Sequence, residues 1–234
     1  MPGQLTVALA QPACVDLDLP ANVAEHARLI RAAEARLVVF PELSLTGYDL
    51  TAPAVALDDE RLAPITEACR ETGSVALVCV ALAEPDGTEA LALLAFDGSE
   101  VSVVHRKMHL HGLENDRFVP GAQPNVLELD GRRIGLAICA DVSFPEHAAK
   151  TAALGIDAYL GSTLYGDDEV AVQRRDSHVA SAAAEHGVWG LMVNTAGPSG
   201  EYPATSGGSG FWAPGGALVT QAGPETGAIL RHTI

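Results

Sequence analysis

The stretch Arg132-Arg133-Ile134-Gly135-Leu136-Ala137-Ile138-Cys139-Ala140-Asp141-Val142-Ser143-Phe144-Pro145-Glu146 carries an apolar, strand-like run straight into a cysteine and then into a proline-led helix start. Proline is tolerated in the first helical turn, so the chain turns between Ile138 and Pro145. A thiol in that turn sits before a helix N-terminus, whose unpaired amides and dipole favour negative charge. The bland alternative is an inert, packed cysteine, which is what most free cysteines are.

Working outward, Asn125 to Leu129 and the Asp130-Gly131 turn make the preceding half of a hairpin. Downstream come a helix from Pro145 to Leu154, a strand from Ala158 to Gly161, a helix from about Val170 to Glu185, and a strand from Val188 to Asn194. The N-terminal half reads similarly. A strand covers Leu5 to Ala10, Val23, Ala27, Ile30 and Ala33 recur at helical spacing, and Leu37-Val38-Val39-Phe40 forms a short strand stopped by Pro41. A second helix fits Glu60 to Glu71. Strands Val75 to Ala83, Ala90 to Phe96 and Val101 to Arg106 follow, joined at Asp86-Gly87 and Asp97-Gly98. Two last strands fit Ala217 to Gln221 and Ala228 to Ile234. Hairpins mixed with strand–helix–strand units predict one α+β domain over 1–234, built of two sheets covered by helices.

Composition limits the function. The 234 residues are 48% apolar and 19% charged, enough for a large core. A net charge of −16 argues against nucleic acid and anionic membranes as partners. The start Met1-Pro2-Gly3-Gln4-Leu5 lacks a basic region, so no signal peptide is expected, and no run reaches the ~20 apolar residues of a membrane span. Cys14, Cys69, Cys79 and Cys139 have no metal or redox spacing, so they read as free thiols of a cytoplasmic protein.

Three strand-like runs each end in a reactive polar group: Glu42 after Phe40-Pro41, Lys107 after Arg106, and Cys139 after Ile138. Carboxyl ends of buried strands are where α/β sheets keep functional groups. The surrounding blocks are Phe40-Pro41-Glu42-Leu43-Ser44-Leu45-Thr46-Gly47-Tyr48, Arg106-Lys107-Met108-His109-Leu110 and Cys139-Ala140-Asp141-Val142-Ser143-Phe144-Pro145-Glu146. Together they resemble, in order, the three signature blocks of the nitrilase (carbon–nitrogen hydrolase) superfamily. Glu114-Asn115-Asp116-Arg117-Phe118-Val119-Pro120-Gly121 resembles a fourth, and Ser206 to Gly216 its glycine-serine segment. The resemblance covers nearly the whole chain.

That resemblance implies a four-layer α-β-β-α sandwich of two mixed sheets, no cofactor, no metal and a homodimer or higher homo-oligomer. It implies Cys139 as nucleophile, Glu42 as general base and Lys107 as the fixed cation. Glu114 would position substrate or water, and the Ala140 amide would help hold an oxyanion. The chemistry suits these residue types: a covalent thioester splits amide hydrolysis into two easier steps, with a base to move the proton. Cys139-Ala140-Asp141 is nearer the amidase and carbamoylase branches than the Cys-Trp-Glu of nitrile-hydrolysing members. Neutral Val142-Ser143 before Phe144 disfavours an anionic carbamoyl amino acid. The expected reaction is therefore a small amide to acid and ammonia, with carbamoyl amine or nitrile hydrolysis as alternatives on the same triad. Tyr48, Phe144, Asn194 and Trp212 are candidate pocket residues, each equally explicable as core or turn.

Other classes compete. His105, His109 and His111, with Asp141, have the residue types of a metal hydrolase. Gly207-Gly208-Ser209-Gly210 hints at phosphate binding, but lacks a following Lys-Ser/Thr and precedes a strand, so it reads as a turn. A non-catalytic binding protein on the same fold is the remaining class.

Overall fold

The computed structural model describes residues 3–234, so Met1 and Pro2 of the leader reading lie outside the described residues. Its first half contains β1 (Thr6–Gln11), α1 (Leu19–Ala33), β2 (Leu37–Val39), α2 (Ala63–Thr72), β3 (Val75–Ala83), β4 (Glu89–Phe96) and β5 (Val101–Arg106). After α3 (Glu114–Arg117) come β6 (Val126–Leu129), β7 (Arg132–Ile138), α4 (Pro145–Ala152), β8 (Ala158–Thr163), α5 (Glu169–His186) and β9 (Trp189–Asn194). The chain closes with β10 (Gly210–Trp212), β11 (Leu218–Gln221) and β12 (Ala228–Thr233).

Two six-stranded sheets result, in the orders β12-β1-β2-β3-β4-β5 and β11-β10-β9-β8-β7-β6. Each has a parallel trio at its heart, β1-β2-β3 or β7-β8-β9, flanked by antiparallel strands. Parallel neighbours need crossovers. Here α1 and α2 supply them for the first sheet, and α4 and α5 for the second.

Strand alternation sorts the side chains into layers. Val7, Leu9, Leu37, Val39, Leu77 and Leu93 of the first sheet meet Ile134, Leu136, Ile138, Leu160, Leu191 and Val193 of the second. Their neighbours Ala8, Ala10, Val38, Ala76 and Val78 face α1 and α2 instead, packing on Val23, Ile30 and Ile65. On the far side Ala137, Tyr159 and Met192 meet Val179, Ala182 and Ala183 of α5. Both faces of these strands are buried, hence their nearly continuous apolar runs. The architecture is the four-layer α-β-β-α sandwich of two mixed sheets flanked by helices. Each fully buried aliphatic side chain contributes roughly 1.5–3 kcal/mol, so the layers on both sides of each sheet contribute to cohesion.

Local departures from the sequence reading have simple causes. The helix expected over Glu60 to Glu71 begins as a 3-10 turn, Glu60–Leu62, and α2 starts afresh with Pro64 in its first turn, where a missing amide costs nothing. The loop expected over Gly112 to Gln123 contains the one-turn helix α3. No helix among the described residues is long and apolar enough to cross a membrane.

Strand direction then places the site. β2 and β3 are parallel, and two hairpins return β5 to the same direction, so Glu42 and Lys107 leave the first sheet at one end. β7 and β8 are parallel, so Cys139 and Leu164-Tyr165 leave the second sheet together.

Candidate active site

Each of these exits is held by local chemistry. After β2, the Phe40 carbonyl accepts from Ser162 Oγ at 2.8 Å, tying the end of the first sheet to β8 of the second. Glu42 follows Pro41, and Leu43 takes a left-handed φ of 49° that closes the turn. Lys107 is anchored through its backbone: its amide donates to Leu91 O at 2.8 Å, and its carbonyl accepts from Gly121 N at 2.8 Å. A Cβ on Gly121 would lie 2.3 Å from the Arg106 carbonyl oxygen, which explains a glycine in the Pro120-Gly121 pair. Cys139 itself has a φ of 39° and opens the 3-10 turn Cys139–Ser143. A non-glycine residue held there costs on the order of 1–3 kcal/mol and occurs mainly where a side chain must be aimed.

These turns bring Glu42, Lys107, Glu114 and Cys139 to one end of a cavity of about 390 Å³. Lys107 Nζ donates to Glu42 Oε1 at 2.6 Å and to Glu114 Oε1 at 2.7 Å. Glu114 Oε1 also accepts from the Tyr48 hydroxyl at 2.6 Å, and its Oε2 from His111 N at 2.7 Å. Glu42 Oε2 is buried and finds no hydrogen-bond partner among the described residues. The Cys139 thiol donates weakly to Leu164 O at 3.5 Å. Ala140 lines the same cavity, and its amide, near the start of a helical turn, has no intrahelical acceptor.

The electrostatics follow from burial. Glu42 is pushed above the usual carboxylate range by desolvation and by Glu114, with Lys107 pulling the other way. Burial and the Glu42 charge raise the Cys139 thiol well above normal, against Lys107. Desolvation works to strip the Lys107 proton, but Glu42, Cys139 and Glu114 outweigh it and hold the ammonium charged. The resting site is thus a protonated thiol beside a strengthened base and a permanent cation.

A family model of carbon–nitrogen hydrolases matches residues 6–234. The chain belongs to the carbon–nitrogen hydrolase family. This hydrolase is 29% identical to "Hydrolase in pqqF 5'region" of Pseudomonas protegens, over 97% of this chain and 81% of that protein. It is 27% identical to an (R)-stereoselective amidase of Pseudomonas sp., over 98% and 84% of the two chains. Among solved structures, a mutant of an amidase from Nesterenkonia sp. in complex with butyramide superposes with a TM-score of 0.86 at 27% identity, covering 98% of this chain and 90% of that one. Another mutant of that amidase, with a TM-score of 0.85, shows covalent addition of the acetamide moiety of fluoroacetamide at the active-site cysteine. The fold and the sequence place this hydrolase in the nitrilase superfamily.

The remaining sequence candidates scatter. Tyr48 lines the cavity, whereas Phe144, Asn194 and Trp212 do not. Phe144 is 42% exposed and stacks on His109 outside it. Asn194 is fully buried and acts as a loop brace, accepting from Tyr165 N at 2.9 Å and donating to Gly207 O at 2.8 Å. Trp212 packs in the layer between β10 and α5. The Gly207-Gly208 turn wraps the Arg175 guanidinium, which donates to Ser206 O and Gly207 O. The histidines of the metal reading also separate. His105 and His109 both hydrogen-bond Asp141, while His111 lies on the cavity wall. Among the described residues, His105, Asp141 and His147 form the group with metal-like spacing.

The sequence reading missed the outer wall, formed by Tyr165, Arg174, His178 and Tyr202 among others. Tyr165 and His178 share a hydrogen bond of 2.8 Å between Oη and Nδ1. Tyr165 lies two residues beyond the end of β8, so the strand-end rule that singled out Cys139 extends to it. His178 and Arg174 lie within α5, where no local signal separates them from solvated helix positions.

Proposed function

We propose that this hydrolase converts a small neutral amide to a carboxylic acid and ammonia through a thioester on Cys139. Glu42 takes the thiol proton as sulfur attacks the carbonyl carbon, and the carbonyl oxygen becomes an oxyanion facing Lys107 Nζ and the Ala140 amide. Collapse expels ammonia, which leaves with the proton returned from Glu42. Water then attacks the thioester as Glu42 removes its proton. The acid departs, and the proton reverts to sulfur. Glu114 holds Lys107 Nζ together with Glu42.

The observation that carries this reading is Lys107 Nζ, 1% exposed, bonded to two buried carboxylates beside a cavity-facing thiol. Such an arrangement has a structural cost and gives little stability in return. A neutral substrate is favoured by the same charges. At the inner end of the cavity, two carboxylates face one ammonium, which disfavours an anionic acyl group beside Cys139. The small Ala140 leaves room at the carbonyl, and the butyramide held by the Nesterenkonia amidase mutant supports an aliphatic amide.

The test is mass spectrometry after incubation with fluoroacetamide, alongside ammonia release from aliphatic amides, N-carbamoyl amines and nitriles. One adduct on Cys139 and a turnover-dead Cys139→Ala variant are expected. Adducts on Cys14, Cys69 or Cys79 with activity retained would remove Cys139 from its role.

A further inference from the structure

Asp141, two residues after the nucleophile, is completely buried, and the chemistry above leaves it without a task. Its Oδ1 accepts from Met108 N at 3.0 Å, from His109 N at 2.9 Å and from His109 Nδ1 at 3.0 Å. Its Oδ2 accepts from Ile138 N at 3.0 Å and from His105 Nε2 at 3.1 Å. Burial alone would raise its pKa, but His105, His147 and the Ile138 amide prevail and hold it well below the usual carboxylate range.

These five donors come from two sheets. His105, Met108 and His109 bracket Lys107 at the end of β5, whereas Ile138 is the residue before Cys139 at the end of β7. Apart from the Ser162–Phe40 hydrogen bond, the sheets meet at this end mainly through apolar side chains, whose attraction has no directional preference and tolerates sliding. Hydrogen bonds to an ionised carboxylate are directional and among the strongest available. We propose that Asp141 is a positioning residue that sets the separation of Lys107 Nζ and Cys139 Sγ by fastening the backbone on both sides of the lysine to the residue preceding the nucleophile. The inference rests on the roles given above to Cys139 and Lys107.

The cluster has a competing use. His147 Nε2 is buried without a hydrogen-bond partner among the described residues, 4.0 Å from Asp141 Oδ2, and His105, Asp141 and His147 are spaced as a cation site would be. The two carboxylate oxygens already accept five hydrogen bonds, and the other ring nitrogens of His105 and His147 are bonded to Asn125 and Tyr159. The bracket accounts for every bond of Asp141 without an ion.

Asp141→Asn tests it. The amide nitrogen would face either Ile138 N–H and His105, or the Met108 and His109 amides, so backbone bonds on one side of the bracket are lost whichever way it turns. Displacing a catalytic group by about an ångström costs about 10²-fold, so kcat per titrated Cys139 should fall by about that factor with KM within about threefold. The pH profile of Cys139 alkylation by iodoacetamide should move to higher pH, as the thiolate loses Lys107. A carboxylate that merely stabilises the fold would reduce the folded fraction and leave both readouts unchanged. Should the variant not fold, His105→Ala removes a single donor, with an expected kcat loss of about tenfold. Wild-type kcat and an unshifted profile in either folded variant would overturn the bracket. So would activity lost to a chelator and restored by a divalent metal. An active Cys139→Ala enzyme would instead refute the proposed function itself.

Discussion

Replacing Lys107 with methionine removes one charge and leaves nearly the same volume, so its consequences are electrostatic. In the native protein the ammonium lies 2.6 Å from Glu42 Oε1 and 2.7 Å from Glu114 Oε1, with all three side chains at most 1% exposed. At an effective dielectric of ~20, each contact has a gross Coulomb energy of about 6 kcal/mol, most of it offset by desolvating the ions. Deleting one partner of a buried pair leaves that desolvation uncompensated and typically costs about 3–5 kcal/mol. Lys107→Met should lose that much stability near neutral pH, and the loss should depend on pH. Burial and Glu114 already raise the Glu42 pKa, and Lys107 is what pulls it down. Without Lys107 it rises further. A carboxylate raised in the folded state contributes stability below its unfolded pKa and loses it as pH climbs through the folded value. Urea unfolding of the variant should therefore show the larger deficit at about pH 8 and a smaller one at about pH 5. Turnover should fall by at least about 10²-fold through the lost oxyanion donor. An equal deficit at both pH values, or a kcat within tenfold of wild type, would refute the account of Lys107 as the charge that makes this site tenable.

The remaining predictions concern proton transfer and backbone placement. Because Glu42 must be ionised to accept the thiol proton and its pKa is raised by burial and Glu114, the acid limb of kcat/KM should lie above the ordinary carboxylate range. In Glu42→Gln that limb should vanish with most of the activity, and a limb at the ordinary carboxylate value in the wild type would contradict the assigned base. Gly121→Ala places a methyl group against the Arg106 carbonyl and shifts the segment that receives Lys107 O. It should cost about 1–3 kcal/mol in thermal unfolding and lower kcat more than it raises KM; an unchanged melting temperature would argue against that close approach.

Much of this was legible in the linear chain. Residues 37–39, 134–138 and 158–161 were readable as strands because both of their faces are buried and their residues are largely apolar. Glu42, Lys107 and Cys139 stood out because each breaks such a run at its end. Boundaries fared less well. The 3-10 turn at Glu60–Leu62 and the single turn at Glu114–Arg117 depend on capping and packing that a hydrophobic period does not encode.

The sequence by itself determined which polar groups close strand-like runs, since residue type and hydrophobic pattern are local properties. Only the tertiary structure decided how they act together. Lys107 is shared between Glu42 and Glu114 because two hairpins turn β5 back into line with β2. Asp141 reaches the chain around Lys107 because the sheets are stacked face to face. Asn194 and Trp212 proved to be brace and core, and Tyr165 and His178 wall, because a side chain's role there depends on which layer its strand or helix presents to the cavity. Such choices are set by contacts between residues far apart in the chain, and no local pattern records them.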